Sequence, residues 1–168
     1  MTIRQIVIAL IGFSLQNIFC PFGQAQTFRV MSFNILDGGS TRLDTLFYII
    51  NTQKADIVLV QESSNLDDRF LKKAAEYGFQ LVQNDINKGI YQPAILSRFS
   101  IINHGDFFRA IHATIELPNG RHIKIFNSHW LPLNLNEERV YQTRHLVQDF
   151  LSIARENYPI ITGGDLNV

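Results

Sequence analysis

Asp56-Ile57-Val58-Leu59-Val60-Gln61-Glu62 is the most telling stretch of this chain. Ile57 to Val60 offer no polar face. Such a run predicts a strand covered on both sides, as the strands of layered α/β proteins are. Glu62 stands directly after it. A carboxylate at the rim of a buried strand is costly unless it is solvated, paired or bound to a cation. Taken alone, Glu62 reads as a charge turned to solvent where the strand ends.

On the N-terminal side, Phe28–Asn34 (FRVMSFN) predicts a strand with Phe28, Val30 and Ser32 on one face. Leu43, Leu46, Phe47 and Ile50 follow at helical spacing, with Thr41 and Asp44 as a capping box. On the C-terminal side, Ser64 and Asp67 open a helix whose apolar stripe is Phe70, Leu71, Ala74 and Ala75. Short strands come next, at Phe79–Gln83, Ala94–Leu96 and Ile111–Leu117. Pro118-Asn119-Gly120 is a turn signal, and Arg121–Asn127 returns as the hairpin partner. Asn136 caps a helix from Glu137 to Glu156, with Val140, Val147, Phe150, Leu151 and Ala154 inward. Pro159–Thr162 is the last strand, ahead of Gly163-Gly164-Asp165-Leu166-Asn167. Helices interleaved with strands, plus one clear hairpin, give a layered α/β fold with mixed pairing.

The composition excludes several classes. The chain has 168 residues, 46% of them hydrophobic, with 15 basic and 15 acidic side chains and one cysteine. That is enough apolar material for the core of one domain and too much for a disordered chain. A single cysteine excludes a disulfide scaffold and a Cys-rich zinc site. Balanced charge disfavours a protein that holds nucleic acid mainly through a broad basic surface. No repeat or linker divides the sequence.

Residues 1–25 read as an export signal, with Arg4, an apolar Ile6–Leu15 and small residues at Gly23 and Ala25. The apolar stretch falls short of the about 20 residues a membrane span requires. The expectation is cleavage after Ala25, removing Cys20, and one domain over residues 26–168 of a secreted or periplasmic protein. No membrane span and no protein partner is indicated.

Four polar positions close apolar strands: Asn34, Glu62, His129, and Asp165 with Asn167. Side chains just past strand ends gather at one rim of a sheet, where α/β proteins place their sites. Singly, each has a plainer reading. Asn34, and Asp165 with Asn167 after two glycines, read as turn residues. His129 reads as a structural histidine. Together, two carboxylates and two amides form a set of hard oxygen ligands of the kind Mg²⁺ or Mn²⁺ accepts. One imidazole beside them suits a phosphate contact or proton donor better than a structural zinc site.

The ordered set MSFNI, LVQE, AILSR, NSHW and GGDLN resembles the endonuclease/exonuclease/phosphatase superfamily, from about Phe28 to the last residue. The resemblance implies a DNase I-like four-layer α/β sandwich, two mixed sheets packed face to face with helices outside. It implies an Mg²⁺-dependent phosphoesterase (Mn²⁺ being the other candidate) that cleaves phosphodiester or phosphomonoester bonds by in-line water attack. Glu62 would be the principal metal ligand, and Asn34 would assist it or bond the phosphate. Asp165 would orient or deprotonate the water, Asn167 would hold the water or a phosphate oxygen, and His129 would donate to the phosphoryl group. The substrate would be a small phosphoester, a lipid head group or a nucleic acid. Histidine at position 129 leans away from the abasic-site repair branch, which carries tyrosine there.

Other features read as structure. Ala94–Ser97 is a core strand, Arg139 and Gln142 a solvated helix face, and Trp130 either packs or stacks on a substrate ring. Relatives continue past GGDLN to a Ser-Asp-His motif, which this sequence does not contain. The expectation is therefore an incomplete C-terminal set of strands and weak or absent activity. The alternatives are a non-catalytic exported module that keeps the fold, and a nuclease specific for DNA or RNA.

Overall fold

The computed structural model describes residues 27–64, 66–86, 92–130 and 136–167. Residues 1–25, expected to be an export signal, lie outside the described residues, and no described helix is long and apolar enough to cross a membrane. In chain order the elements are β1 (Val30–Asn34), α1 (Leu43–Thr52), β2 (Ile57–Gln61), α2 (Asp68–Glu76), β3 (Gln80–Gln83) and β4 (Ala94–Ser97). They continue with β5 (Ser100–Phe107), β6 (Ala110–Glu116), β7 (His122–His129), α3 (Asn136–Ala154) and β8 (Ile160–Asp165). One sheet has the order β1-β2-β4-β3 and the other β5-β6-β7-β8. The β1–β2 and β7–β8 pairs are parallel and the rest antiparallel, so both sheets are mixed.

The apolar run of β2 explains the layering. All five of its residues are buried. Val58 and Val60 pack with Phe47 and Ile50 of α1 and Phe70 and Ala74 of α2. Ile57 and Leu59 face the other way, against Ile111, Ile115 and Ile125 of the second sheet. That sheet's far side sets Ala110 and Phe126 against Ile153 of α3. The order is helices, sheet, sheet, helix, a four-layer sandwich. Each fully buried side chain of this size contributes about 1.5–3 kcal/mol, so the helix-to-sheet and sheet-to-sheet layers both carry the stability.

Several expectations need correction. Thr41 and Asp44 form no capping box: α1 begins after Arg42, with no side-chain cap. A tight segment, Asp37–Arg42, delivers the chain instead, and Asp44 pairs with Lys73 of α2. Asp67 alone caps α2, its side chain accepting from the Phe70 amide at 3.1 Å, while Ser64 is buried before the helix. Leu71 and Ala75 are exposed, because the short α2 turns only Phe70 and Ala74 into the core.

In α3 the inward face is Leu146, Phe150 and Ile153, with Phe150 edge-on to Phe126 at 6.1 Å. Val140, Val147, Leu151 and Ala154 are exposed. The apolar residues of α3 occupy more than one face, and the position of Phe126 selects which face docks. Strand β5 carries no legible alternation, since its SIINHGDF is largely polar and its pairing with β6 slips between Ile101 and Asn103. Finally, β7 and β8 run on to His129 and Asp165, beyond the boundaries expected from apolar residues.

Candidate functional site

The extra length of β7 and β8 builds the site. Their parallel register sets His129 opposite Asp165, while β1 and β2 end with Asn34 opposite Gln61. Both pairs of strand ends emerge at one rim, where the two sheets meet. Asn34 joins them. Its Nδ2 donates to Glu62 Oε1 at 2.9 Å and to Asp165 Oδ2 at 3.0 Å, crossing from one sheet to the other. One amide thereby holds two carboxylates that would otherwise repel across an open gap.

The chain around Glu62 is folded to present its head group. Glu62 has φ of 56°, a left-handed conformation that an L side chain seldom adopts. Its carbonyl accepts from the Gly38 amide at 2.7 Å and its Oε2 from the Asp37 amide at 3.1 Å. Leu36 and Asp37 are also left-handed, at φ 55° and 50°, and the Leu36 amide donates to Asn34 Oδ1 at 3.0 Å. Strained backbone at a strand end, fixed by several bonds, is typical of a functional rim.

On the β8 side, Asp165 Oδ1 accepts from the Asn167 amide at 3.0 Å. Asn167 Nδ2 donates to the Trp130 carbonyl at 2.6 Å, and the Trp130 amide donates to the Asp165 carbonyl at 2.9 Å. Burial pushes the Asp165 carboxyl up, but the Asn34 and Asn167 hydrogen bonds and nearby His129 together hold it below its ordinary 3.8. His129 is buried, with Nε2 3.9 Å from Asp165 Oδ2, beyond direct hydrogen-bond range.

Asn34, Glu62, His129, Asp165 and Asn167 thus converge. Trp130 shares their backbone, but its side chain lines a different pocket with Tyr141 and Gln142. Gln142 is buried, not part of a solvated face, because α3 docks that turn onto the second sheet.

Sequence reasoning missed the support beneath the rim. Gln61 Nε2 donates to Asn127 Oδ1 at 2.8 Å, and Asn127 Nδ2 donates to the carbonyls of Val60 and Ala94, each at 2.8 Å. This buried pair fastens the two sheets directly below Asn34. The available signal was Gln61, a polar residue closing an apolar run. The two glycines also belong to the strand and not to a bend. A side chain at Gly164, φ 144°, would run into the Ser128 carbonyl, and one at Gly163 would come within 2.6 Å of Leu59 Cδ1.

Among the described residues, no three His, Cys, Asp or Glu side chains form a metal cluster. Mg²⁺ does not require one. It takes one or two protein carboxylates and completes its shell with water and substrate oxygens, and Glu62 beside Asn34 would be the residues to hold it.

Solved structures share the fold. No curated protein is similar enough in sequence to match the chain. Among solved structures, the human Nocturnin catalytic domain superposes with a TM-score of 0.71 at 23% identity, covering 84% of this chain and 64% of that one. A humanized D. rerio TDP2 gives 0.67 at 22% identity, covering 84% and 62%. The mannosyl-6-phosphatase of Bacteroides thetaiotaomicron gives 0.66 at 18%, covering 84% and 66%. The chain therefore spans less than two thirds of each of these structures, and the likeness is one of fold, the DNase I-like sandwich. The sequence pattern of one family runs through residues 31–168, from β1 past the Asp165 rim. With that match over most of its length, the chain belongs to the Endonuclease/Exonuclease/phosphatase family.

Proposed function

We propose that this protein is an exported, divalent-metal-dependent phosphoesterase whose centre is the gap between Glu62 and Asp165. The observation that carries the reading is the Asn34 amide, bonded to both carboxylates at 2.9 and 3.0 Å. Two acidic groups from different sheets held at one gap are costly for a purely structural protein, and useful for cation and phosphate chemistry.

Glu62 would hold Mg²⁺ or Mn²⁺, assisted by Asn34. When bound, the cation neutralises charge that builds on the phosphoryl oxygens. The chain's own residues do the rest. Asp165, held ionised by its hydrogen bonds, orients a water and takes its proton. Asn167, fixed through Trp130, holds the water or a phosphate oxygen. His129 donates to the phosphoryl group as in-line displacement proceeds. No covalent intermediate is required.

Among the described residues, His129 is the one histidine paired with Asp165.

The test is hydrolysis of bis(p-nitrophenyl) phosphate by the chain with Mg²⁺. Turnover that EDTA abolishes, and that Asp165→Asn reduces at least about 100-fold, supports the reading. Turnover indifferent to both changes would refute it.

A further inference from the structure

Pro118, Asn119 and Gly120 form the tip of the β6–β7 hairpin, and all three are exposed. Backbone bonds define the turn. The Gly120 amide donates to the Leu117 carbonyl at 2.8 Å, and the Leu117 amide donates to the Arg121 carbonyl at 2.8 Å. Gly120 holds φ at 76°, the left-handed conformation that glycine favours, with open space where a side chain would stand.

The Asn119 side chain folds back over this backbone. Its Oδ1 accepts from the Arg121 amide at 3.0 Å. Such an Asx turn closes a ring of atoms that contains both Asn119 Cγ and the Gly120 nitrogen. One is an electrophilic carbon, and the other becomes a nucleophile when it loses its proton. A bond between them would complete a five-membered ring. The Arg121 amide draws electron density from the Asn119 carbonyl, as that attack requires, and Gly120 has no Cβ to shield its nitrogen. Asn119 is the one asparagine of the sequence that glycine follows. Asn127, followed by the small Ser128, is the contrast. It is buried, and its Nδ2 is tied to the carbonyls of Val60 and Ala94 at 2.8 Å each, which holds the nitrogen that would have to leave.

We propose that Asn119 is a site of spontaneous covalent modification, cyclising onto the Gly120 nitrogen and opening to an aspartyl or isoaspartyl residue. The Gly120 nitrogen gives up its proton and bonds to Asn119 Cγ, and the side-chain nitrogen departs with a proton as ammonia. Water then opens the succinimide. Attack at the side-chain carbonyl leaves aspartate. Attack at the main-chain carbonyl leaves isoaspartate, whose backbone runs through Cγ. One water is consumed, one ammonia is released, and nothing is oxidised or reduced. The reaction must first break the bond from Gly120 to Leu117, and a hairpin tip is where local opening costs least. The product places a carboxylate beside Arg121, at the end of β7 opposite His129. This site is independent of the phosphoester reading.

The test is to age the full chain in buffer and map it with trypsin. Cleavage after Arg109 and Arg121 releases residues 110–121, whose one asparagine is Asn119. That peptide should gain about one mass unit as the reaction proceeds. An isoaspartyl carboxyl methyltransferase with labelled S-adenosylmethionine should then mark it. The peptide carrying Asn127 should keep its mass. Conversion should be faster at pH 9 than at pH 6, because the Gly120 nitrogen must lose a proton. Gly120→Ala should slow it about tenfold by shielding that nitrogen, with a urea melt to show that the variant is folded. Asn119→Ser should abolish both the mass gain and the labelling of this peptide. An unchanged mass for residues 110–121 would overturn the proposal. So would earlier conversion at another asparagine, or equal rates in the unaltered chain and folded Gly120→Ala.

Discussion

Asn34 stands between two carboxylates, and that position makes it the most sensitive residue of the rim. Its hydrogen bond is one of the influences that keep the Asp165 carboxyl below 3.8, against the upward push of burial. A carboxylate with a depressed folded pKa adds stability that is complete above the unfolded value. That stability is lost as pH falls through the lower folded value. Asn34→Ala should therefore raise the Asp165 pKa and cost about 1–3 kcal/mol at neutral pH, the range for a hydrogen bond to a charged group. A carbon-detected NMR titration of the Asp165 carboxyl, beside urea melts, checks both. Sequence order brought Asn34, Glu62, His129, Asp165 and Asn167 into one group. It did not show the amide bridge, because a bond between side chains 131 positions apart depends on how two sheets meet.

The elements show where a linear reading reaches its limit. Strand β2 was legible because Ile57–Val60 are all apolar, and both faces are covered as that pattern requires. The ends of β7 and β8 were not, since Ser128, His129 and the two glycines lack the apolar signal although they pair in register. Helix α3 carries apolar residues on several faces, and only the docking of Phe150 against Phe126 selects one.

The Gln61–Asn127 pair was invisible, for buried amides look like surface amides until their partners are known. Asn127→Leu removes one of the three acceptors of Gln61 Nε2 and the side-chain donor to two carbonyls, and should cost about 1–3 kcal/mol by chemical denaturation. Gly164→Ala should also destabilise, since the new methyl meets the Ser128 carbonyl. A loss of less than about 0.5 kcal/mol would show that β8 can shift away at little cost.

For the whole molecule, the far face of the second sheet adds a pH dependence of its own. Burial lowers the His112 pKa, and the charge of nearby Lys124 lowers it further, while Glu156 and Asp106 oppose and His104 adds a small downward push. Lys124 is itself buried and paired with Glu156 at 2.6 Å. A histidine with a depressed folded pKa binds fewer protons than it does unfolded, so stability falls as pH drops through 6.5. His112→Phe should flatten that part of the stability curve, measured as the urea midpoint between pH 7 and pH 5, and leave the rim unaffected.

The proposed function rests on a divalent cation held by Glu62 with Asn34, across the gap from Asp165. Paramagnetic broadening by Mn²⁺ in a ¹⁵N NMR spectrum of the chain tests it most directly. Substoichiometric Mn²⁺ should broaden first the Asn34 side-chain amide and the backbone amides of Asp37, Asp165 and Asn167. Excess Mg²⁺ should reverse the effect, and Glu62→Gln should abolish it. Broadening centred elsewhere, or unchanged in Glu62→Gln, would contradict the account.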